Sequence, residues 1–344
     1  MSSPARPSTS GAPAKGVADF RTLGRLGWQI SAIGYGMWSM GGDVSGWTGG
    51  SDEEHRLALQ EAVSLGCNFF DTAWIYGRGH SESLLGEIRR ANPTRKLYCV
   101  TKLPPKDLHW PSTRASKLED VFPPDHIKQY AEKSLKNLGV DCIDLLQFHV
   151  WEDAWANDER WQRAIADLKS QGLVAGVGVS VNRWEPWNGM ATLRTGLIDT
   201  VQVIYNIFDQ APEDELFPLC KERSIGVIAR VPFDEGSLAG TLTMASRWPK
   251  DDFRSMYFGP ENLPETVRRV EALKKIAPTT MTLPEMALRF ILSNPMVGTA
   301  IPGMRKIAHV RGNMATGDGT RLPDGLMKEL RKHRWDREPA PWSD

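Results

Sequence analysis

The sequence predicts an α/β protein, a (β/α)8 TIM barrel with an N-terminal β-hairpin and long loops at its C-terminal face. Eight short apolar, β-branched segments alternate with segments of helical spacing, as expected for a parallel sheet whose strands are buried on both faces. No Pro-rich or charged linker interrupts the series, which favours one barrel over two smaller domains. The expected organisation is a flexible tail over 1–18, the barrel over 19–318 and a C-terminal extension over 319–344.

The elements follow one another in regular order. TLGRLGWQISAIGYG predicts a hairpin followed by the first strand, and Ser51 with Glu54 forms the capping-box pattern of a helix that ends at Gly66. The remaining strands are NFFDTA, KLYCVT, CIDLLQFH, VAGVGVS, DTVQVIYN, IGVIARV and GTAIPG. The remaining helices are expected at 81–91, 125–138, 158–170, 185–194, 213–223, 264–276, 284–293 and 304–315.

Composition excludes several classes of function. The 42 basic and 42 acidic residues give no general field for nucleic acid or an anionic membrane. Without an apolar run of about 18 residues we expect no membrane helix, and a cytoplasmic location is the default. The four cysteines show no C-x-x-C spacing and are expected to be reduced and buried, and no histidine spacing predicts a metal site. The acid-free start of the chain faintly resembles a transit peptide, but its three prolines favour a floppy tail.

Polar residues follow the predicted strands at the end where the side chains of a barrel converge on one mouth. Each of them alone has an ordinary explanation as a helix cap, a packed ring, a solvated strand end or a core histidine. Several at one mouth favour a catalytic site. In chain order they are Asp71, Tyr76, Lys102, His149, Ser180, Gln202, Arg230 and the segment 303–306.

Four of these residues fit together chemically. The phenol of Tyr76 can give a proton to a carbonyl oxygen if the resulting tyrosinate is stabilised, and the ammonium of Lys102 would lower the phenol pKa. Asp71 would hold Lys102 charged and oriented, and His149 could donate a hydrogen bond to the substrate oxygen. The set supplies no reductant, so a hydride donor must be imported.

The segments NFFDTAWIYGRGHSE, VTK, IDLLQFH and VGVSVN resemble, in order, the signature segments of the aldo-keto reductase superfamily, over about residues 20–316. The resemblance implies that Asp71, Tyr76, Lys102 and His149 form a catalytic tetrad. It also implies hydride transfer between NADP(H) and the carbonyl, or corresponding alcohol, of a small molecule.

The resemblance further implies a set of coenzyme residues. Ser180 and Gln202, with Asn182 nearby, would hold the nicotinamide, and Gly36 and Met37 would lie beside its ribose. PFDEGSLAG, residues 232–240, resembles the loop that covers the pyrophosphate and is called the coenzyme loop below. The implied coenzyme set is Gly36, Met37, Asp71, Ser180, Asn182, Gln202, Arg230, Val231, Pro232, Phe233, Glu235, Gly236, Leu238, Ile301, Gly303, Met304, Arg305, His309 and Asn313.

The start of the last predicted helix bears on the choice of coenzyme. Residues 302–317 contain no acid, whereas Arg305, Lys306, His309 and Arg311 cluster there. A basic helix N-terminus suits a phosphate, which favours NADP(H), with NAD(H) as the alternative. A solvated basic helix start is the ordinary explanation of the same pattern.

Three positions depart from the family pattern. Arg230 stands where many relatives have a tyrosine that stacks on the nicotinamide, although a guanidinium can also stack. Val181 replaces an amide-bearing asparagine, and Gly312 replaces an acid that meets the adenine amine. The coenzyme environment is therefore expected to differ from that of many relatives.

Tryptophans are frequent in the predicted mouth loops, at Trp38, Trp47, Trp74, Trp110, Trp151 and Trp155. Flat aromatic walls suit a sugar ring or an aromatic carbonyl. As a hypothesis, the substrate pocket is lined by Trp38, Trp74, Trp110 and Trp151. The expected partner is a small-molecule carbonyl or alcohol, and self-association into a homo-oligomer is left open.

Two rival functions belong to other classes. The first is a regulatory subunit that uses the same fold to bind NADP(H) with little turnover. The second is a barrel glycosidase, which needs two facing carboxyl groups. The fourth strand ends in His149 and the seventh in Arg230, with no acid at either tip, which disfavours the glycosidase.

Overall fold

The computed structural model describes residues 18–42, 50–183 and 185–337. The strands of this part are β1 (Phe20–Leu23), β2 (Trp28–Ser31), β3 (Tyr35–Gly36), β4 (Phe69–Asp71), β5 (Tyr98–Leu103), β6 (Ile143–Phe148), β7 (Val174–Ser180), β8 (Thr200–Ile204), β9 (Gly226–Arg230) and β10 (Val297–Ala300). Its helices are α1 (Asp52–Ser64), α2 (His80–Ala91), α3 (Leu118–Val121), α4 (Pro124–Leu138), α5 (Glu159–Ser170), α6 (Met190–Arg194), α7 (Leu216–Arg223), α8 (Phe253–Tyr257), α9 (Leu263–Ile276), α10 (Leu283–Ser293), α11 (Ile307–Ala315) and α12 (Asp324–Arg331).

The strands β3 to β10 form one parallel sheet in which each strand pairs with its neighbours in the chain. The sheet closes on itself, because parallel bridges join Ile33 to Ala300 and Gly36 to Gly303. Helices alternate with these strands and cover the outside of the sheet. The predicted (β/α)8 barrel with an N-terminal hairpin is confirmed, and all eight strand ends meet at one mouth.

The hairpin β1–β2 fills the opposite end of the barrel. Leu23 and Ile30 are fully buried and pack in one apolar cluster with Phe69, Val100, Leu145 and Ile228 of the strands and with Ile301, directly after β10. Arg25, in the turn of the hairpin, forms an ion pair with Asp199, which directly precedes β8. Since the hairpin closes this end, the mouth at the strand C-termini is the end left for a site.

Local sequence signals account for several boundaries. Ser51 caps α1: its hydroxyl accepts from the backbone N–H of Glu54 at 3.3 Å, while a Glu54 carboxylate oxygen accepts from the Ser51 N–H at 2.9 Å. The helix predicted over 185–194 begins only at Met190, because the side chain of Asn188 bonds across to Glu152 and to the backbone of Asp153 instead. The expected capping box is thus confirmed, and that helix is shorter than expected.

Other expectations need correction or extension. Cys67, Cys99 and Cys220 are buried and free, but Cys142 is free and exposed, since it lies just before β6 rather than in it. Trp47 and tail residues 1–17 lie outside the described residues. Across the ranges given above, none of the helices combines the length and apolarity needed to cross a membrane.

The turn of the hairpin offers a test of the fold. Gly24 has φ +45° and an added Cβ would lie 2.3 Å from the backbone nitrogen of Gly226, whereas Gly27 has φ +68° and open space. We expect Gly24→Ala to lower the free energy of unfolding by roughly 1–2 kcal/mol through left-handed strain and by about 1–3 kcal/mol more through overpacking. Gly27→Ala, the matched control, should lower the free energy of unfolding by the strain contribution alone. Urea unfolding measures both, and equal losses would contradict the proposed fit of the hairpin into the barrel.

Candidate active site

A buried carboxylate lies at the centre of the mouth. Asp71, at the end of β4, is 3% exposed and accepts hydrogen bonds from three side chains. Lys102 Nζ donates to its Oδ1 at 2.5 Å, and Gln147 Nε2 and Gln202 Nε2 donate to its Oδ2 at 3.1 and 2.7 Å. Lys102, 1% exposed, also donates to the backbone carbonyl of Thr72 at 2.8 Å. The carboxylate therefore ties together the ends of four strands, β4, β5, β6 and β8.

Tyr76 and His149 lie directly against this pair. The Lys102 ammonium is 5.2 Å from the centroid of the Tyr76 ring. The rings of Tyr76 and His149 meet edge to face with centroids 5.7 Å apart. The structure thus brings together all four residues that the sequence singled out for proton transfer.

Burial decides the charge states of the two rings. It raises the pKa of the Tyr76 phenol above its usual 10.0, although Lys102 draws the pKa in the opposite direction. The expected effect of Lys102 is present, but desolvation outweighs it. Burial, reinforced by Lys102 and Arg230, holds the pKa of His149 well below its usual 6.5. At neutral pH the site therefore presents a protonated phenol and an uncharged imidazole, each able to donate one hydrogen bond.

The implied coenzyme residues lie in the strands near this mouth or in the segments that follow them. Gly36 pairs in register with Asp71 and bridges Gly303, so the first, second and eighth strands meet there. Ser180 pairs with Gln202 on the neighbouring strand. Arg230 is the last residue of β9, and the others lie in the segments that follow β7, β9 and β10, namely Asn182, Val231, Pro232, Phe233, Glu235, Gly236, Ile301, Arg305, His309 and Asn313.

Some of these residues make other contacts than the resemblance implies. Gln202 bonds to Asp71, and the Asn182 amide donates to the backbone of Ser112 at 3.3 Å. Three more, Met37, Leu238 and Met304, have no exposed surface and pack beneath the mouth rather than on it, because their apolar side chains join the core.

Arg230 is a half-buried cation beside the catalytic candidates. Burial, with the neighbouring Arg183, lowers its pKa to about 10. Its Nη2 donates to the backbone carbonyl of Val181 at 3.0 Å, and its buried Nε has no hydrogen-bond partner among the described residues. Both Tyr76 and His149 feel its charge.

The start of α11 has the features of a phosphate site, with qualifications that only the structure reveals. The helix has no acidic residue in its first turn and no side-chain cap within the described chain, and Lys306 and His309 are exposed there. However, Asp252 and Glu54 approach Arg305 from other segments. Arg311, counted in the basic cluster, pairs with Glu61 of α1 at 2.6 Å. Absence of acids along the sequence therefore does not mean absence of acids in space.

The tryptophans divide into two groups. Trp110 is half-buried and lies edge to face on His149 with centroids 5.6 Å apart, Trp74 packs on Tyr130 and Trp38 on Phe253. Trp151 is fully buried, and its indole N–H donates to Thr192 at 2.8 Å. Because Trp151 packs in the core, it offers no surface to a substrate, contrary to the expectation.

Sequence reasoning missed two members of the site. Gln147 was not singled out because it lies inside an apolar strand, where its amide reaches Asp71. Glu82 of α2 is fully buried, accepts from Thr101 and from Asn137 at 2.8 Å, and feels the charge of Lys102 from behind the site. Its place in GRGHSE was the available signal.

The fold and the site define a (β/α)8 barrel with a buried lysine–aspartate pair beside a phenol and an imidazole. The model of the Aldo/keto reductase family matches residues 32–334. The chain belongs to the aldo-keto reductase family of oxidoreductases.

Known proteins resemble the chain over nearly all of their lengths. An uncharacterized oxidoreductase, YqkF of Bacillus subtilis, is 29% identical over 91% of this chain and 95% of its own. The NADH-specific methylglyoxal reductase of Escherichia coli is 27% identical over 85% of this chain and 91% of its own. The aldo-keto reductase yakc [NADP(+)] of Schizosaccharomyces pombe is 26% identical over 82% of this chain and 83% of its own. The solved structure of glycerol dehydrogenase AKR11B4 from Gluconobacter oxydans is 26% identical, covers 94% of this chain and 98% of its own, and gives a TM-score of 0.75.

The pKa of His149 has a consequence for stability. The folded protein keeps this imidazole neutral, whereas the unfolded chain takes up a proton near pH 6.5, so stability is full above that pH and falls as the pH is lowered. We expect His149→Asn to flatten the decline between pH 6.5 and 5 by up to about 1.4 kcal/mol per pH unit. Urea unfolding at several pH values measures the slope. The same change at exposed His109 is the control, and equal slopes for wild type and His149→Asn would contradict the assignment.

Proposed function

We propose that the protein is an NADP(H)-dependent oxidoreductase that reduces an aldehyde or ketone to the alcohol, or catalyses the reverse. Tyr76 is the general acid and base, assisted by Lys102, Asp71 and His149. The observation that carries the proposal is the buried Lys102–Asp71 pair directly beneath a protonated phenol.

The four residues can handle the proton of the reaction. The bound coenzyme would supply the hydride to the carbonyl carbon. Tyr76 gives its phenolic proton to the carbonyl oxygen, which becomes the alcohol hydroxyl, and the tyrosinate left behind is stabilised by the ammonium of Lys102. The uncharged imidazole of His149 donates a hydrogen bond to the same oxygen and orients the carbonyl. In the reverse direction the tyrosinate takes the proton back.

The residues at the mouth fit a dinucleotide coenzyme. An added Cβ at Gly36 would lie 2.6 Å from the backbone oxygen of Ile301, so glycine permits the close approach of two strand ends there. Gly303 is exposed beside it, and the uncapped start of α11 leaves backbone N–H groups for a phosphate. Arg305 and Lys306 would neutralise that phosphate, which favours NADP(H) over NAD(H), and His309, whose pKa burial lowers from 6.5, could add a hydrogen bond as a neutral imidazole.

Two relatives carry names that point to different coenzymes, one NADH and the other NADP(+). The basic start of α11 is our reason to prefer NADP(H). Asp252 and Glu54 near Arg305 make that preference smaller than an isolated cluster would give.

The substrate side of the mouth carries aromatic walls. Trp110 contacts His149, and Trp74 and Trp38 lie in neighbouring segments of the same face. We propose a small carbonyl compound with a flat apolar or sugar portion that packs on Trp110 while its carbonyl oxygen meets Tyr76 and His149.

Coenzyme titration and turnover test the proposal together. Nucleotide fluorescence should show NADPH binding more tightly than NADH, and the wild type should reduce 4-nitrobenzaldehyde or a member of a panel of aldehydes, ketones and aldoses. Tyr76→Phe should lower kcat at least about 100-fold while NADPH still binds, because only the acid is removed.

Tyr98→Phe, a tyrosine on β5 outside the mouth, is the control and should keep full turnover. Unchanged reduction by Tyr76→Phe would refute the assigned acid. NADPH binding without turnover of any carbonyl compound would instead support the regulatory-subunit alternative.

A further inference from the structure

The described part of the C-terminal extension ends in a deeply buried arginine. The side chain of Arg337 is 2% exposed. Its Nη2 donates to both carboxylate oxygens of Asp209, at 2.8 and 2.7 Å. Its Nη1 donates to Asp234 Oδ1 at 3.0 Å and to the Tyr257 hydroxyl at 2.7 Å. A surface tail does not normally bury its charge in this way, so the contact has a structural purpose.

Arg337 reaches directly into the coenzyme loop. Asp234 is a fully buried member of this loop, and its second carboxylate oxygen accepts from Ser237 of the same loop at 2.8 Å. Tyr257 of α8 donates to Asp234 at 2.6 Å and accepts from both Arg337 and Arg183. One phenol hydroxyl thus joins the extension, α8 and the segment after β7 to the loop.

Each charged side chain of the cluster has an oppositely charged partner, with two arginines set against three carboxylates. Arg183 pairs with Glu235, the next residue of the coenzyme loop, and Arg337 pairs with Asp209 and Asp234. Buried ions persist only when they are paired and hydrogen-bonded. Removal of Arg337 would leave two carboxylates, one of them fully buried, without their main counterion.

The backbone of the loop depends on such support. Val231 (φ 52°), directly before the loop, and Asp234 (φ 45°) and Glu235 (φ 54°) within it all adopt the left-handed conformation, which side-chain-bearing residues seldom adopt and a β-branched residue least of all. Strained conformations of this kind persist where surrounding contacts enforce them. Two of the three residues are those whose carboxylates the arginines hold.

The extension itself is firmly attached to the barrel. The guanidinium groups of Arg269 and Arg337 lie over the Trp335 ring, 4.4 and 4.7 Å from its centroid, and the backbone N–H of Trp335 donates to the Phe208 carbonyl at 2.8 Å. Arg334 makes two hydrogen bonds to Asp214, at 2.8 and 2.6 Å. Arg337 is therefore presented to the loop from a fixed position.

We propose that Arg337 is a positioning residue that holds the coenzyme loop in its strained conformation, so that the C-terminal extension sets the affinity and release rate of the coenzyme. The inference rests on the proposed function, since it assigns the loop to coenzyme binding. It concerns affinity and release only, because Arg337 contacts none of the four residues assigned to proton transfer in the described chain.

The test uses the full-length protein with NADPH as the probe. Arg337→Ala should raise the Kd for NADPH about tenfold, equivalent to about 1.4 kcal/mol, and should speed coenzyme release in stopped-flow fluorescence. Arg337→Lys, which keeps the charge but loses the bidentate geometry, should have a Kd for NADPH between those of wild type and Arg337→Ala. Lys332→Ala, from the same extension but paired with Glu329 of α12 rather than with the barrel, is the matched control and should stay within about twofold of wild type.

Kinetics and hydrogen exchange distinguish loss of positioning from a merely structural role, which would not confine the effect to the coenzyme and its loop. Loss of positioning should raise the KM for NADPH while kcat/KM for the carbonyl at saturating NADPH stays unchanged, and hydrogen exchange should increase within residues 232–240. A folded Arg337→Ala protein with wild-type Kd and release rate would overturn the inference.

If Arg337→Ala fails to fold, Tyr257→Phe replaces it, because this change removes only the hydroxyl that joins the cluster. A raised Kd in Tyr257→Phe supports the inference, and an unchanged Kd overturns it. Failure of wild type to bind NADPH or NADH would defeat the proposed function and the inference with it, whereas tight wild-type binding with unaltered variants defeats the inference alone.

Discussion

The mouth of the barrel is organised around the carboxylate of Asp71. Lys102 places an ammonium in an almost fully buried position, where an unpaired charge would be prohibitively unfavourable. Asp71 makes that position tenable and uses its second oxygen to hold Gln147 and Gln202. Because these donors come from three different strands, the same carboxylate that supports the chemistry also fixes the relative positions of the strand ends.

Most of the architecture could be predicted because it follows from local patterns. Period-2 and apolar segments define strands, helical spacing defines helices, and a parallel barrel brings every strand end to one mouth whatever its loops do. Asp71, Tyr76, Lys102 and His149 were therefore identifiable from their places after strands. The capping box at Ser51 was predictable for the same reason, since it involves residues three apart.

What could not be predicted depends on contacts between distant parts of the chain. The cluster of Arg337 with Asp209, Asp234 and Tyr257 joins segments far apart in sequence, and no local signal marks the contacts among them. Trp151 was misplaced because a loop tryptophan looks the same in sequence whether it faces solvent or the core. The acids near Arg305, Asp252 and Glu54, belong to other segments, so the sequence of residues 302–317 could not indicate them.

The most direct test of the organising role of Asp71 is the free energy of unfolding of Asp71→Asn, measured by urea at neutral pH. The substitution keeps the shape of the side chain but removes its charge. It also replaces one acceptor oxygen by an NH2 donor, which must face either Lys102 or the two glutamine amides. The account predicts a loss of about 3–5 kcal/mol, as for one broken partner of a buried pair. Glu159→Gln, in the exposed pair with Arg163, should leave stability essentially unchanged. A loss for Asp71→Asn no larger than that of this control would contradict the account.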